Sequence, residues 1–328
     1  MLTANLDRTT ARAVLTMANR APSVHNSQPW RWRIGPSSIH LFADPERALP
    51  ATDPEGRDLR LSCGAALHHL RVAFLAAGLR TTVHRLPDPA QPELLAAVET
   101  HPGRPTPADL ALARAMDNRR SDRRMFSSWP VPSEMLTHLV RTAADEGALL
   151  KVLDRESDRY AVARLIEQAA VEQSLAPDMA QETAEWTGRS AGAREGVPAA
   201  NVPAEPAGTV PVRAFAAGEQ EQSLLGRYES DGTVLALLAT PGDGAVDQLR
   251  AGEALSAVLL GATHFGLATD PISQPLEVGT TRAQLQAAVL GGAAAPQMLL
   301  RLGWAPMSTI PVPRTGRRPL ADTIDALE

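Results

Sequence analysis

The residues best able to do chemistry fall in three short stretches. Asn118-Arg119-Arg120-Ser121-Asp122-Arg123-Arg124 and Pro313-Arg314-Thr315-Gly316-Arg317-Arg318 concentrate guanidinium groups, while Ala21-Pro22-Ser23-Val24-His25-Asn26-Ser27-Gln28-Pro29-Trp30 concentrates turn formers and short polar side chains. The cationic residues are almost all arginine, with Lys151 the single lysine. A phosphate held by cations here would be held by arginine, whose planar fork meets two oxygens at once. Thr315 and Gly316 add a hydroxyl and a close backbone approach. Each stretch also has a plain structural reading. Asp117 and Asp122 could make 118–124 a salt-bridged helix start, 313–318 could be a free basic tail, and 21–30 a capped helix-to-strand turn.

Other motifs are weaker. Gly188-Arg189-Ser190-Ala191-Gly192 fits the nucleophile-elbow pattern, but no buried strand precedes it and no helix follows. His68 and His69 are adjacent on a helix and are expected to face different ways, as are Cys63 and His68, so no metal site is expected. No glycine-rich dinucleotide fingerprint or phosphate-loop motif is present.

Composition sets the frame. The chain has 328 residues, 44% hydrophobic and 21% charged, which suits a globular protein of one large or two medium domains. A net charge of −5 argues against general affinity for nucleic acid. No apolar run is long enough to span a bilayer, and no signal peptide is expected at the N-terminus. Cys63 is the lone cysteine, so no internal disulfide can form, and a cytoplasmic location is expected.

The elements that must position these stretches are legible in outline. A helix is expected over 7–20, a hairpin over RWRI and residues 39–41, a buried helix over 62–78 ending at Gly78, and a strand at TTVHRL. A second series runs from a helix at 132–144 through a strand at ALLKVLD, a helix at 157–174, an irregular stretch over 176–226, a buried strand at 234–240, a helix at 248–266 and a last buried strand at 297–305. Trp30, Trp32 and Trp304 read as core. The two series match each other. Gly64, Ala66, Leu67, Gly78, Leu79 and Thr81 meet Gly252, Ala254, Leu255, Gly266, Leu267 and Thr269 at a constant offset, while the helix before residue 21 aligns with 132–144 at a shorter one. The difference is about the length of 176–226. A duplicated fold follows, with 1–106 as the first half and 107–328 as the second, carrying a lid-like insertion at 176–226.

APSVHNSQPWRW (21–32), NRRSDRRMF (118–126), ATDPISQPLEV (268–278), LLRLGWAP (299–306) and PRTGRRPL (313–320) together make the chain similar to the FMN-dependent nitroreductase superfamily, and more closely to its Acg-type members. The resemblance implies an α+β fold, a nitroreductase-like unit duplicated in one chain as a fused pseudo-dimer, with antiparallel sheets flanked by helices. It implies FMN as cofactor. Arg119, Arg120, Ser121 and Arg123 match the segment that contacts the phosphate, ribityl chain and pyrimidine edge; Arg314, Thr315, Gly316, Arg317 and Arg318 match the C-terminal phosphate cluster. Pro22 and Ser23 should pack on the flavin, and Asn26 and Gln28 should bond its edge. His25 stands where relatives often carry a small residue and could narrow access. Ser273 and Gln274 should lie near the same site. No protein side chain is expected to be catalytic, because the flavin N5 carries the chemistry.

In ordinary members two sites form between two subunits. Here the first half has the Pro22–Gln28 segment without an arginine segment before its first helix, and the second has the arginine segment with ADEGALLKVL where a second APSVHN should stand. One composite site and a single FMN are expected. Three functions compete: an NAD(P)H-dependent oxidoreductase acting on a small-molecule acceptor; as the Acg likeness implies, an FMN-storing protein with a lid and little reductase activity; or a specialised flavin reaction on a metabolite enclosed by the lid. A monomer is expected, with a further dimer open and no membrane partner.

Overall fold

The computed structural model describes all residues except 1–5, 36, 206–207, 209, 212, 214, 216–217, 221–230, 307–309 and 326–328. Part of the expected 176–226 insertion therefore lies outside the described residues.

Two four-stranded antiparallel sheets form, each built to the same plan. In the first copy α1 (Arg8–Ala18), β1 (Trp30–Ile34), β2 (Ser38–Ala43), α2 (Arg57–Ala76), β3 (Leu79–Arg85) and β4 (Leu94–Pro102) give the order β1-β2-β4-β3. Then α3 (Pro107–Asn118) leads to the second copy, with α4 (Ser133–Asp145), β5 (Leu149–Val152), α5 (Glu156–Ser174), α6 (Pro177–Trp186), β6 (Val234–Thr240), α7 (Ala245–His264), β7 (Ala268–Ile272), α8 (Gln274–Glu277), α9 (Gly279–Leu290) and β8 (Ala295–Gly303), in the order β5-β6-β8-β7. Even the irregularities repeat. The pairing of β2 with β4 slips between Leu41 and Phe42, and that of β6 with β8 between Leu238 and Ala239. A bulge preserved at the same place in both sheets is hard to reach except by duplication.

Helices α2 and α7 join the copies. Both end before a left-handed glycine, Gly78 (φ 79°) and Gly266 (φ 82°), a conformation that a residue without a Cβ adopts without strain. They cross where a side chain on Gly64 would meet Leu249 O at 2.0 Å and one on Gly252 would meet Leu61 O at 1.9 Å. Arg60 Nε donates to Gln248 Oε1 (2.6 Å), and His68 Nδ1 lies 2.8 Å from Ser256 Oγ. Each of these hydrogen-bonded pairs is 188 positions apart, the offset that relates the copies in sequence. Equivalent residues touching each other is what a two-fold relation between copies requires. His69 Nδ1 also lies 2.8 Å from Ser256 Oγ, so the expectation that the two histidines face apart is corrected. The helices approach so closely at the glycines that one small hydroxyl reaches both rings.

The cores explain the strand compositions. The first sheet lays Trp30, Trp32, Ile39 and Leu41 against α1 and α2, and its edge strand β3 alternates half-buried and exposed residues. The second sheet is covered on both faces: α4 and α7 pack on Leu238, Met298 and Leu300, while α5, α8 and α9 pack on Leu235, Leu237 and Leu299. Hence VLALLAT reads as a continuous rather than alternating apolar run, and APQMLLRLG is buried at every position, Gln297 and Arg301 included. Trp304 sits at the margin of the core, half-buried, donating to Pro130 O at 3.2 Å. Two readings need correction. Part of the irregular 176–226 stretch is helix α6, started by Pro177 at its first turn, and no strand had been assigned to 94–102, which is β4. Among the described residues no helix is long and apolar enough to cross a membrane.

Gly64→Ala should lower stability by about 3 kcal/mol, because the clash is with backbone rather than a movable side chain; an unchanged melting temperature would contradict the crossing. Burial pushes the His68 imidazole down to about 4, with Arg71 adding to that and Glu146 opposing it. The unfolded chain then binds a proton near pH 6.5 that the folded chain refuses. His68 thus costs stability as pH falls from about 6.5 to about 4 and none above. His68→Gln should flatten the pH dependence in that window by about 1.4 kcal/mol per pH unit, read from urea unfolding at several pH values; an equal slope in both proteins would refute it.

Candidate functional site

The loop after α1 is built under strain. Around the short 3-10 turn Val24–Asn26, three non-glycine residues take left-handed backbone: His25 (φ 50°), Asn26 (φ 55°) and Gln28 (φ 52°). Such conformations cost of order 1 kcal/mol or more each and persist where surroundings hold them. Here Ser23 Oγ accepts from Gln28 N (2.9 Å), and Arg47 Nε donates to Ser27 O (2.6 Å).

Two distant segments are carried to this loop. Residues 119–123 leave α3 and run beside β7, where Asp122 N donates to Thr269 O at 2.9 Å. The C-terminal segment returns to the first copy: Trp32 N donates to Thr323 O (2.7 Å), Asp325 N to Trp32 O (2.9 Å), and Asp325 pairs with Arg31. Asn19 ties the junction, its Oδ1 accepting from both Trp30 and Trp32 Nε1 (2.9 Å each) while Nδ2 donates to Thr323 Oγ1 (2.7 Å). That docking delivers residues 314–318.

Between the three segments lies a cavity of about 470 Å³, within the usual range of about 300–1,000 Å³ for small-ligand sites. Arg20, Arg119, Arg120, Arg123, Arg314, Arg317 and Arg318 line it, and Asp117 is the one acidic residue among its described lining, paired with Arg20. Arg119 is 7% exposed, and its Nε and Nη1 meet no acceptor. Arg317 Nε is likewise buried without one. Burial, reinforced by Arg120 and Arg123, pushes Arg119 down to about 10; burial, with Arg119, Arg120 and Arg20, pushes Arg317 down to about 9. Both remain cations at neutral pH. Buried guanidinium donors without carboxylates are a demand for an anion.

The expected residues distribute as follows. Pro22, Ser23, His25, Asn26, Arg119, Arg120, Ser121, Arg123, Arg314, Thr315, Gly316, Arg317 and Arg318 line this cavity. Ser273 and Gln274 line an adjoining one of about 90 Å³, which shares Pro22, Ser23, His25, Ser121 and Arg123 and adds the apolar Leu61, Leu255, Ile272 and Met298. Their side chains are engaged elsewhere: Ser273 Oγ donates to Glu277 Oε1 (2.6 Å) and Gln274 Nε2 to Gln173 Oε1 (3.0 Å). Gln28 does not line the cavity. It is fully buried, donating to Arg194 O (2.8 Å) and accepting from Arg318 N (2.8 Å). Asn26 Nδ2 is shared between Gly196 O and Gly316 O (3.2 Å each), leaving Oδ1 buried and unpartnered. These two residues staple the site's walls together. The sequence reading missed Asn19, Arg20, Asn201, Arg213 and Phe215. Arg20 lies in the turn after an ordinary helix, and the last three sit in a stretch whose Ala- and Pro-rich composition carries no site signal.

The stretch after α6 covers the cavities. Ala191, Gly192, Val197, Pro198 and Asn201 line the larger one. Glu195 pairs with Arg47, Asn201 Nδ2 donates to Pro313 O (2.8 Å), and Glu182 of α6 accepts from Ala51 N, Thr52 N and Thr52 Oγ1. The Gly188–Gly192 motif follows α6 rather than a strand, so it forms no nucleophile elbow. Among the described residues no group of side chains could hold a metal.

The second copy has no matching loop. Residues 146–148 link α4 to β5 where residues 19–29 link α1 to β1. Glu146 and the fully buried Glu253 bond Arg71 (2.6 and 2.8 Å), and Glu253 also bonds Arg85 (2.7 Å). By the 188-residue offset Glu253 stands where the first copy has Ala65. The arginines on this side are neutralised from within.

No protein-family profile matches the chain. Among solved structures, it is similar to the FMN-dependent nitroreductase NfnB from Mycobacterium smegmatis in complex with NADPH, at TM-score 0.43 and 16% identity, over 67% of this chain and 100% of that one. Among curated proteins, the NAD(P)H nitroreductase-like Rv3131 of Mycobacterium tuberculosis H37Rv is 43% identical over 323 residues, covering 97% of this chain and 92% of its own. The acg protein of the same strain is 34% identical over 325 residues, covering 94% and 93%. With identity of this level across nearly the whole of each chain, the protein belongs to the NAD(P)H nitroreductase-like family that includes Rv3131 and acg.

Proposed function

We propose that the chain is a nitroreductase-type oxidoreductase holding a single FMN at the seam between a first half, 1–106, and a second, 107–328. The observation that carries the reading is the set of buried, unpartnered guanidinium atoms on Arg119 and Arg317 facing a cavity with seven arginines and one aspartate. FMN fits this donor set: Arg20, Arg120 and Arg314 would take its phosphate, Arg119 and Asn26 Oδ1 its polar groups, and Pro22, Leu61, Leu255, Ile272 and Met298 its apolar ring. The chemistry that bound FMN supplies is two-electron transfer from NAD(P)H to an oxidised small molecule. The chain's own task is to bind, orient and exclude water, and no side chain is needed as acid or base.

The mirror position supports one cofactor rather than two, since its arginines already have carboxylates. A second reading has its own observation. The 187–203 segment bonds Asn26, Gln28 and Arg47, closing over the cavity as a lid, and a closed lid favours FMN storage with little turnover.

FMN titration followed by flavin fluorescence tests the first claim. Arg119→Ala should weaken binding about 10- to 100-fold, the loss of a charge-assisted bond of about 1.5–3 kcal/mol; unchanged affinity would overturn the site. Anaerobic addition of NADPH or NADH to the yellow protein separates the two functions. Rapid bleaching of the flavin band is expected of the oxidoreductase; persistence of the band with both donors would establish storage instead.

A further inference from the structure

The smaller cavity has one acid among its described lining, Asp270. It stands in β7 directly opposite Arg301 of β8, one residue beyond Thr269, whose carbonyl accepts from Asp122 N and ties the arginine segment to the strand. Asp270 is buried and Arg301 fully so. The two form an ion pair, Arg301 Nη1 to Asp270 Oδ2, at 3.3 Å.

Arg301 has further company. Its Nη2 donates to Arg124 O (3.0 Å), its guanidinium stands 4.6 Å from the centre of the Phe126 ring, and Asp231 is a second carboxylate at 3.9 Å. Asp270 has less. Among the described residues, the one hydrogen bond its side chain accepts is the long one from Arg301, where a carboxylate has about four acceptor sites. Burial pushes its carboxyl up, and Arg123 and Arg301 work against burial. Arg123 lines the same cavity, close enough that each charge favours the other. Other acceptors in this wall are already engaged: Ser23 Oγ by Gln28 N (2.9 Å), Ser62 Oγ by Val24 N (3.3 Å) and His25 Nε2 by Arg213 Nη1 (2.9 Å). A guanidinium beside an under-used carboxylate offers a ligand a donor next to an acceptor. The pyrimidine edge of an oxidised flavin is the complement: O2 and O4 accept, and N3–H, the ring's lone donor, lies between them.

We propose that Asp270 orients the FMN ring by accepting its N3–H, while Arg123 donates to the neighbouring O2. The inference deepens the FMN reading and rests on it. A single carboxylate acceptor among arginine donors fixes which way round the ring lies, because the opposite orientation would set the apolar dimethylbenzene edge against a buried charge. Arg301 keeps Asp270 in place for that role.

The probe is 3-methyl-FMN, in which a methyl group replaces the N3 hydrogen. Fluorescence titration gives its Kd and that of FMN for the parent, Asp270→Asn and Asp270→Leu. The parent should bind FMN at least about tenfold more tightly than 3-methyl-FMN, the worth of one charge-assisted bond. Asp270→Asn keeps an oxygen for Arg301 but loses the charge, and should cut that ratio about threefold or more. Asp270→Leu should bring the ratio near one. Equal affinities in the parent, or a ratio unchanged in the variants, would overturn the assignment and show Asp270 to be only the countercharge of Arg301. Because Asp270→Leu leaves Arg301 short of a partner, a second measurement on Asp270→Asn covers the case in which the leucine variant does not fold. The midpoint potential of its bound FMN should shift positive of the parent's, since a negative charge has left the ring edge where reduction adds electron density; an unshifted potential would overturn the contact. Failure of the parent to bind either flavin would sink the FMN reading and this inference with it, whereas equal binding of both sinks this inference alone.

Discussion

A guanidinium group buried without a carboxylate is the constraint around which this molecule is arranged. Arg119 sits at the end of α3, 7% exposed, with two of its nitrogens facing no acceptor. Solvating such a cation in a protein interior is costly unless another charge answers it. Among the described residues nothing does; instead the fold gathers more arginines around it. The strained 23–28 loop, the returning C-terminal segment and the staples of Asn26 and Gln28 all converge on holding that unanswered charge beside a cavity.

The contrast between the two copies gives the constraint its meaning. The α2–α7 crossing places Gly64 against Gly252's helix and His68 against Ser256 with two-fold fidelity. Away from the crossing the symmetry is broken by charge. On one side Glu253 and Glu146 answer Arg71 and Arg85. On the other, Ala65 replaces Glu253 and the loop at 19–29 replaces a three-residue turn, so the arginines stay open. One duplicated scaffold has thereby become a self-satisfied ion-pair cluster on one side and a ligand-demanding site on the other.

Much of this was legible in the residues. Long-range sequence offsets revealed the doubling because α2 and α7 are packed alike and keep the same glycines. Arginine clusters marked the site because their chemistry is local to each stretch. What escaped notice depended on tertiary closure. Asn26 and Gln28 read as ligand-edge residues, yet their side chains are largely spent on Gly196, Arg194 and Arg318, partners more than 160 positions away. Ser273 and Gln274 are drawn to Glu277 and Gln173 for the same reason. Arg213 lies in a Pro/Ala-rich stretch where no periodicity distinguishes a cavity-lining residue from a linker. Helical spacing alone does not show how close α7 comes to α2, where Ser256 Oγ reaches both His68 and His69.

The proposed single FMN requires one open arginine site per chain. Titration calorimetry of the FMN-free protein with FMN measures that number directly. Binding that saturates at one FMN per polypeptide is the predicted result. Saturation at two, or no binding heat over the whole titration, would contradict it.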